Sequence, residues 1–438
     1  MCDKKATVIG GGLAGVEAAR QLSRRGVKVT LCEMKPLVYS PAHKSENLAE
    51  LVCSNSLKAE RVGSAAGLLK AEMRFFDSVC LKAADVSKVP AGGALAVDRD
   101  IFSETVTRTV ENDPLITVVR GEVTEIPADG VVIIAAGPLV SPALAAEISK
   151  LCGSSFLSFY DAAAPIITAE SIDMSKAFTQ SRYDRGGEDD YINCPLDKAQ
   201  YEAFYDAIIN AESAELHSFD KKKDVYEGCM PIEVLASRGR DAMRFGPLKP
   251  VGLTDPHTGH RPWANLQLRK ENTAGTLYNL VGFQTNLKFP EQKRVFSMFP
   301  ALKNAEFVRY GVMHRNTFID SPRLLDADFG LRKDKRIYFA GQISGVEGYM
   351  ESASSGILAG YQAARALFDE PPLVLPTFTM LGALCAYISD ESIKNFQPMG
   401  AAFGIVDPLE EKIRDKKERY EKLAQRSISY FENLKLYG

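Results

Sequence analysis

Apolar residues first cluster at 6–9 ("ATVI"), give way to "GGGLAG", follow a helical period as far as Arg25 and stop at Gly26. A second apolar run, "VKVTLCE", ends on Glu33. Short runs bounded by glycine, with a helical stretch between them, predict a strand–helix–strand unit. Helical spacing returns between Gly63 and Val86, and again from Asp98 in "DRDIFSETVTRTVEND". Strands are predicted at 115–119 ("LITVV") and at 130–136 ("GVVIIAA"), the latter closing on Gly137 and Pro138.

From 156 to 309 the pattern changes. "FLSFYDAAAPIIT" and "LYNLVGFQT" read as strands, and 196–212 reads as a helix opened by Pro195. Over 336–368 a strand, a glycine turn and a long helix return. The stretch 408–435 places Leu409, Ile413, Tyr420, Leu423, Phe431 and Leu434 among many charges, which predicts an amphipathic helix. A chain of 438 residues can bury two moderate cores. The expected division is one domain from 1–155 and 310–438, interrupted by an inserted domain over 156–309.

Composition adds mainly exclusions. The net charge of −3 rules out a generic polyanion binder. No signal-peptide pattern precedes the first strand, and no run of 18 apolar residues occurs, so a membrane partner is not expected. Eight scattered cysteines without a C-x-x-C pair argue against a zinc ribbon or thioredoxin-type centre. A reduced, metal-free cytoplasmic protein is expected. The charge is unevenly placed, however. Acidic residues outnumber basic ones ten to two over 184–220, whereas basic residues lead sixteen to eight over 221–315. Tyr226, Phe245, Trp263, Tyr278 and Phe283 are interleaved in the basic block. Cations beside flat apolar faces suit phosphate contact and base stacking, although a solvated basic face has the same composition.

Gly10-x-Gly12-x-x-Gly15 follows a strand, opens a helix and is followed after eighteen residues by Glu33 at the end of the next strand. That context makes it a dinucleotide-binding fingerprint. Gly10 permits the turn, Gly11 and Gly12 bring backbone to the pyrophosphate, and Gly15 allows close packing. The helix start at Leu13 and Ala14 faces the phosphates, and Glu33 accepts from ribose hydroxyls. Near the C-terminus, "IYFAGQISGVEGY" resembles the second flavin signature of glutathione-reductase-like flavoproteins, with Gln342 after Gly341 where an acid is usual. The fold class expected is therefore α/β, a Rossmann-type (glutathione-reductase-like) FAD-binding domain with an inserted α+β domain. Without a second G-x-G-x-x-G, a nicotinamide would bind only transiently.

Two thiols stand out. In "YEGCMPIEV", Cys229 precedes Pro231, a residue favoured at a helix start, where free amides and the dipole would favour a thiolate. In "ELVCSNSLKAER", Cys53 is followed by three capping residues and then by Lys58 and Arg61. A thiolate that adds to C6 of uracil turns C5 into a nucleophile for a one-carbon electrophile, and a reduced flavin can supply the hydride that makes the carbon a methyl.

With these residues in view, the chain resembles, over essentially its whole length, the TrmFO family of FAD- and folate-dependent tRNA (uracil-C5-)-methyltransferases. The strings that carry the likeness include "VIGGGLAGVEAA", "AELVCSNSLKA", "YEGCMPIEVLASRGRDAMRFGPLKPVGL", "NLVGFQTNLK" and "GQISGVEGYMESA". The resemblance implies methylation of a tRNA T-loop uridine, with methylenetetrahydrofolate as carbon donor and NAD(P)H as reductant of FAD. It maps the two essential cysteines onto Cys53 and Cys229. Cys229 is assigned as the uracil nucleophile and Cys53 to the flavin side. Tyr349 is expected to stack on flavin or folate, and Arg240, Arg244 and Lys249 to contact RNA phosphates. His43, His257, His260 and His314 are possible bases. The rival readings are the same chemistry on a ribosomal RNA uridine, a small-molecule flavin oxidoreductase, and a non-catalytic flavin-bearing RNA-binding protein.

Overall fold

The computed structural model describes residues 4–153, 157–184, 187, 190–214, 230–394 and 396–436. A six-stranded sheet forms its centre, in the order Gly330–Leu331, Asp334–Phe339, Val131–Ile134, Lys5–Ile9, Lys28–Glu33 and Ile116–Arg120. Its pairs are parallel except the short Gly330–Leu331 edge. Strands buried on both faces explain the near-continuous apolar runs at 131–134 and 6–9.

Helix Leu13–Arg24 leaves the first strand and packs against helix Tyr349–Leu367. Their backbones touch. A Cβ at Gly356 would stand 2.0 Å from the Ala14 carbonyl, and one at Gly360 would stand 2.5 Å from that of Ala18. The C-terminal helix Lys416–Asn433 buries Leu423, Ala424 and Phe431, with Phe431 stacked on Phe75. Residues from both ends of the sequence thus share one core.

A second core runs from Ile167 to Ala305. It lies on a six-stranded sheet that includes Tyr191–Leu196, Ala264–Lys270, Leu277–Leu280, Ile166–Thr168 and Phe307–Arg309. Strands Leu157–Ala162 and Met313–Phe318 pair antiparallel where the chain enters and leaves this region. Two local expectations are corrected. Pro195 lies in a strand, and the following helix, Lys198–Ile209, is opened by Asp197, whose carboxylate forms a capping box with Gln200. The proline is tolerated because the neighbouring strand Phe178–Thr179 pairs only as far as Asn193, leaving that side of Pro195 without a ladder partner. Pro231 likewise sits one position before its helix, the five-residue Ile232–Ala236, as the N-cap whose carbonyl accepts from the Leu235 N–H at 2.9 Å.

Candidate functional site

A cavity of about 410 Å³ opens where the two helix N-termini, at Gly12 and Gly348, converge. Their amides and dipoles make this end of the sheet a place for anionic groups. Gly10 has φ +105°, and a Cβ there would meet the Ala135 carbonyl at 2.4 Å. Gly15 lies against Gly10 itself, where a Cβ would stand 1.8 Å from the carbonyl oxygen. Around a Cβ at Gly12 there is nothing within 4 Å, so this glycine keeps the approach to the loop open.

Gly10 to Ala14, Glu33, Gly341, Gln342, Tyr349 and Cys53 all line this cavity, whereas Gly15 packs behind it. Buried Glu33 accepts from the Gly11 N–H at 2.8 Å and from the Lys35 N–H at 3.0 Å, one on each oxygen. Each oxygen retains a second lone pair, which a ribose hydroxyl can use. Gln342 donates from Nε2 to Glu347 at 2.8 Å. His43 lines the same cavity; its Nδ1 lies 2.6 Å from Ser40 Oγ, and burial, helped by nearby Lys35, holds its pKa below the usual range.

Tyr349 and Cys53 meet inside the cavity. The phenolic oxygen accepts from the N–H groups of Cys53 (2.8 Å) and Ser54 (3.1 Å) and lies 3.1 Å from Cys53 Sγ. A phenol has two lone pairs and one proton. The two amides occupy the lone pairs, which directs the proton at the sulfur. Burial pushes the Tyr349 phenol well above its ordinary pKa, with the Cys53 sulfur adding to the shift, so the proton stays in place at neutral pH.

Cys229 lies outside the described residues. Ile232, the third residue after it, donates its N–H to the carbonyl of cavity-lining Gln284 at 2.7 Å, and Glu233 accepts from Thr285 and Asn286. The Ile232 amide is therefore engaged and not offered to a thiolate, which removes one of the free amides expected at this helix start. The three cations expected to meet RNA do not line the cavity. Arg240 pairs with Glu202 and Asp206 beside Tyr205. Arg244 stacks 3.8 Å over the Trp263 ring and donates to its carbonyl. Lys249 is half-buried.

Sequence reading missed Lys58 as a cavity residue. It holds φ +63°, lines the cavity and donates to buried Glu351 at 2.7 Å. A strained non-glycine backbone of this kind marks functional sites more often than ordinary surface, but no local sequence signal announces it. Also missed was the role of Arg99, Arg269 and Arg309 around Cys53. Among the described residues no cluster of three or more His, Cys, Asp or Glu could hold a metal ion, and no helix is long and apolar enough to cross a membrane.

Fold and site together define an α/β dinucleotide-binding protein with a thiol in its cofactor cavity. The family described as glucose inhibited division protein A (GIDA) matches residues 5–371. Relatives named methylenetetrahydrofolate–tRNA-(uracil-5-)-methyltransferase TrmFO are 57% identical over 421 residues in Acetivibrio thermocellus, covering 96% of both chains. The Geobacter sulfurreducens protein of that name is 56% identical, covering 97% of both. Aquifex aeolicus GidA superposes with a TM-score of 0.71 at 15% identity, spanning all of this chain and 74% of that one, which supports the fold. The chain belongs to the GIDA family, and within it to the TrmFO proteins.

Proposed function

We propose that this chain transfers a one-carbon unit from methylenetetrahydrofolate to C5 of a uridine in the T-loop of tRNA, with bound FAD and NAD(P)H as reductant. The observation that carries the reading is Cys53, a thiol in the wall of the same cavity as the glycine loop and the Gly341–Gln342 turn. The name of the relatives supplies the carbon donor and the class of RNA.

The residues present suit FAD. The loop from Gly10 to Ala14 offers backbone at a helix start for a pyrophosphate, open at Gly12. Glu33 offers lone pairs to a ribose, and Gly341 and Gln342 face the cavity from the second signature. When bound, the flavin supplies the electrons that take a methylene to a methyl.

The remaining chemistry falls to the thiols. A thiolate adding to uracil C6 makes C5 nucleophilic, and C5 bonds to the methylene carbon as that carbon's two bonds to folate nitrogens break. The nitrogens regain protons, and a hydride equivalent from the bound flavin completes the methyl. Loss of the C5 proton and departure of the thiolate then restore the ring. We assign that attack to Cys229, three residues in sequence before Ile232, whose N–H donates to the carbonyl of cavity-lining Gln284, and the cofactor side to Cys53, whose sulfur Tyr349 contacts. Arg240 and Lys249 are assigned to the RNA side, whereas Arg244, stacked on Trp263 and donating to its carbonyl, is assigned to holding that surface together; the cytoplasm is the expected compartment. The test is mass spectrometry of unmodified tRNA incubated with protein, methylenetetrahydrofolate and NADPH. A methyl-sized increase confined to the T-loop fragment is expected. No increase on tRNA, with an increase on ribosomal RNA, would overturn the choice of substrate.

A further inference from the structure

Cys53 sits in an irregular segment, Leu51 to Asn55, whose acceptors are taken by three guanidinium groups from three elements. Arg99, which begins helix Arg99–Glu111, donates to the carbonyls of Leu51 (2.8 Å) and Val52 (3.1 Å). Arg309, which ends strand Phe307–Arg309, donates to the Val52 carbonyl at 2.7 Å. Arg269, in strand Ala264–Lys270, donates at 3.0 Å to both Ser54 Oγ and Asn55 Oδ1. Asn55 completes the grip by donating to the carbonyls of Val97 and Lys270.

These cations are poorly hydrated. Arg269 is 6% exposed, and the Arg99 side chain 14%. Among the described residues, the carboxylate facing all three is Glu271, which is ion-paired to Arg99. Three guanidiniums against one carboxylate leave the cluster net positive, and Arg309 interacts electrostatically with both Cys53 and Tyr349. Guanidinium forks spread over backbone carbonyls fix a segment's geometry as well as its potential. Two of the three arginines come from the second sheet, so the full grip on segment 51–55 requires that sheet to lie against it.

We propose that Arg99, Arg269 and Arg309 are positioning residues for Cys53: they lock segment 51–55 so that the sulfur faces Tyr349 and the cavity, and they keep positive charge beside it that favours the thiolate. This inference rests on the reading of Cys53 as a reactive thiol. The experiment is the rate of iodoacetamide alkylation at Cys53, read by peptide mass spectrometry on the full-length, FAD-loaded protein from pH 5.5 to 9.5. Wild type is compared with Arg309→Gln and Arg309→Lys. Arg309→Gln is expected to move the midpoint upward by about one pH unit, roughly a tenfold loss of thiolate near neutrality. Arg309→Lys, which keeps the charge, restores most of it. An unchanged midpoint in FAD-loaded Arg309→Gln overturns the proposal. Should Arg309→Gln fail to hold FAD, Arg269→Gln decides by the same two outcomes. Failure of the underlying reading shows elsewhere, as tRNA methylation retained by Cys53→Ala.

Discussion

The Tyr349 hydroxyl lies 3.1 Å from Cys53 Sγ although 296 residues separate the two in sequence. The contact joins the second flavin signature to the "VCSNS" segment, and it couples an acid that keeps its proton to a sulfur that can take one. Tyr349→Phe keeps the ring and removes this donor. A hydrogen bond to a charged group contributes about 1.5–3 kcal/mol, so Cys53 alkylation at neutral pH is expected to slow roughly tenfold or more. FAD absorbance should be retained. An unchanged alkylation rate would show that the sulfur does not use the phenol.

Gly12 and Gly15 belong to one motif but carry opposite expectations. A methyl at Gly15 would collide with the Gly10 carbonyl, so Gly15→Ala should destabilise the apoprotein by about 1–3 kcal/mol, as other overpacking does. A methyl at Gly12 meets nothing in the protein. Gly12→Ala should therefore leave apoprotein melting unchanged while raising the dissociation constant for FAD by about tenfold. Melting curves with and without FAD separate the two effects; equal melting losses in both variants would count against a cofactor-facing Gly12.

Lys70 gives a pH signature. Its ammonium is buried and donates to the Leu57 carbonyl at 2.7 Å, and burial brings its pKa from 10.5 to about 8. A folded-state pKa below the unfolded one means that the burial cost is fully present below pH 8. Between 8 and 10.5 the folded chain releases the proton first, and stability rises with pH. Lys70→Met removes the buried charge. Relative to wild type it should gain up to about 3 kcal/mol at neutral pH, an advantage that shrinks as pH rises towards 10.5. Urea midpoints of both proteins across that range test it, and a constant difference would mean that Lys70 is not the titrating group.

What could be read from the sequence was what the chain expresses locally. Gly10, Gly12 and Glu33 lie within one strand–helix–strand unit, so spacing alone placed them at a common turn. The glycine turn before Tyr349 was legible for the same reason. Arg99, Arg269 and Arg309 were not, because Arg99 lies 44 or more residues along the chain from segment 51–55 and Arg269 and Arg309 come from strands of the second sheet, and nothing in their own neighbourhoods distinguishes them from ordinary strand or helix residues. Pro195 misled because proline suits a helix start and an unpaired strand position alike. Only the register with Asn193 and Asn265 tells them apart.

The basic block invites the last test, because its cations differ in kind once their partners are known. Arg244 is spent inside the fold: its guanidinium lies flat on Trp263, donates to the Trp263 carbonyl and pairs with Asp241. Arg240 is half-exposed and held by two carboxylates that a phosphate could replace. Lys249 is the third. If Arg240 and Lys249 touch RNA phosphates, replacing either by alanine weakens binding uniformly across tRNA sequences. It also lowers the slope of log affinity against log salt by about one. Arg244→Ala should instead cost about 1–2 kcal/mol of stability through the lost stacking, with the salt slope unchanged. Filter binding at several salt concentrations, beside melting curves, reads both quantities. A slope change in Arg244→Ala would move that arginine to the RNA face, and unchanged slopes in Arg240→Ala and Lys249→Ala would take the RNA path elsewhere on the protein.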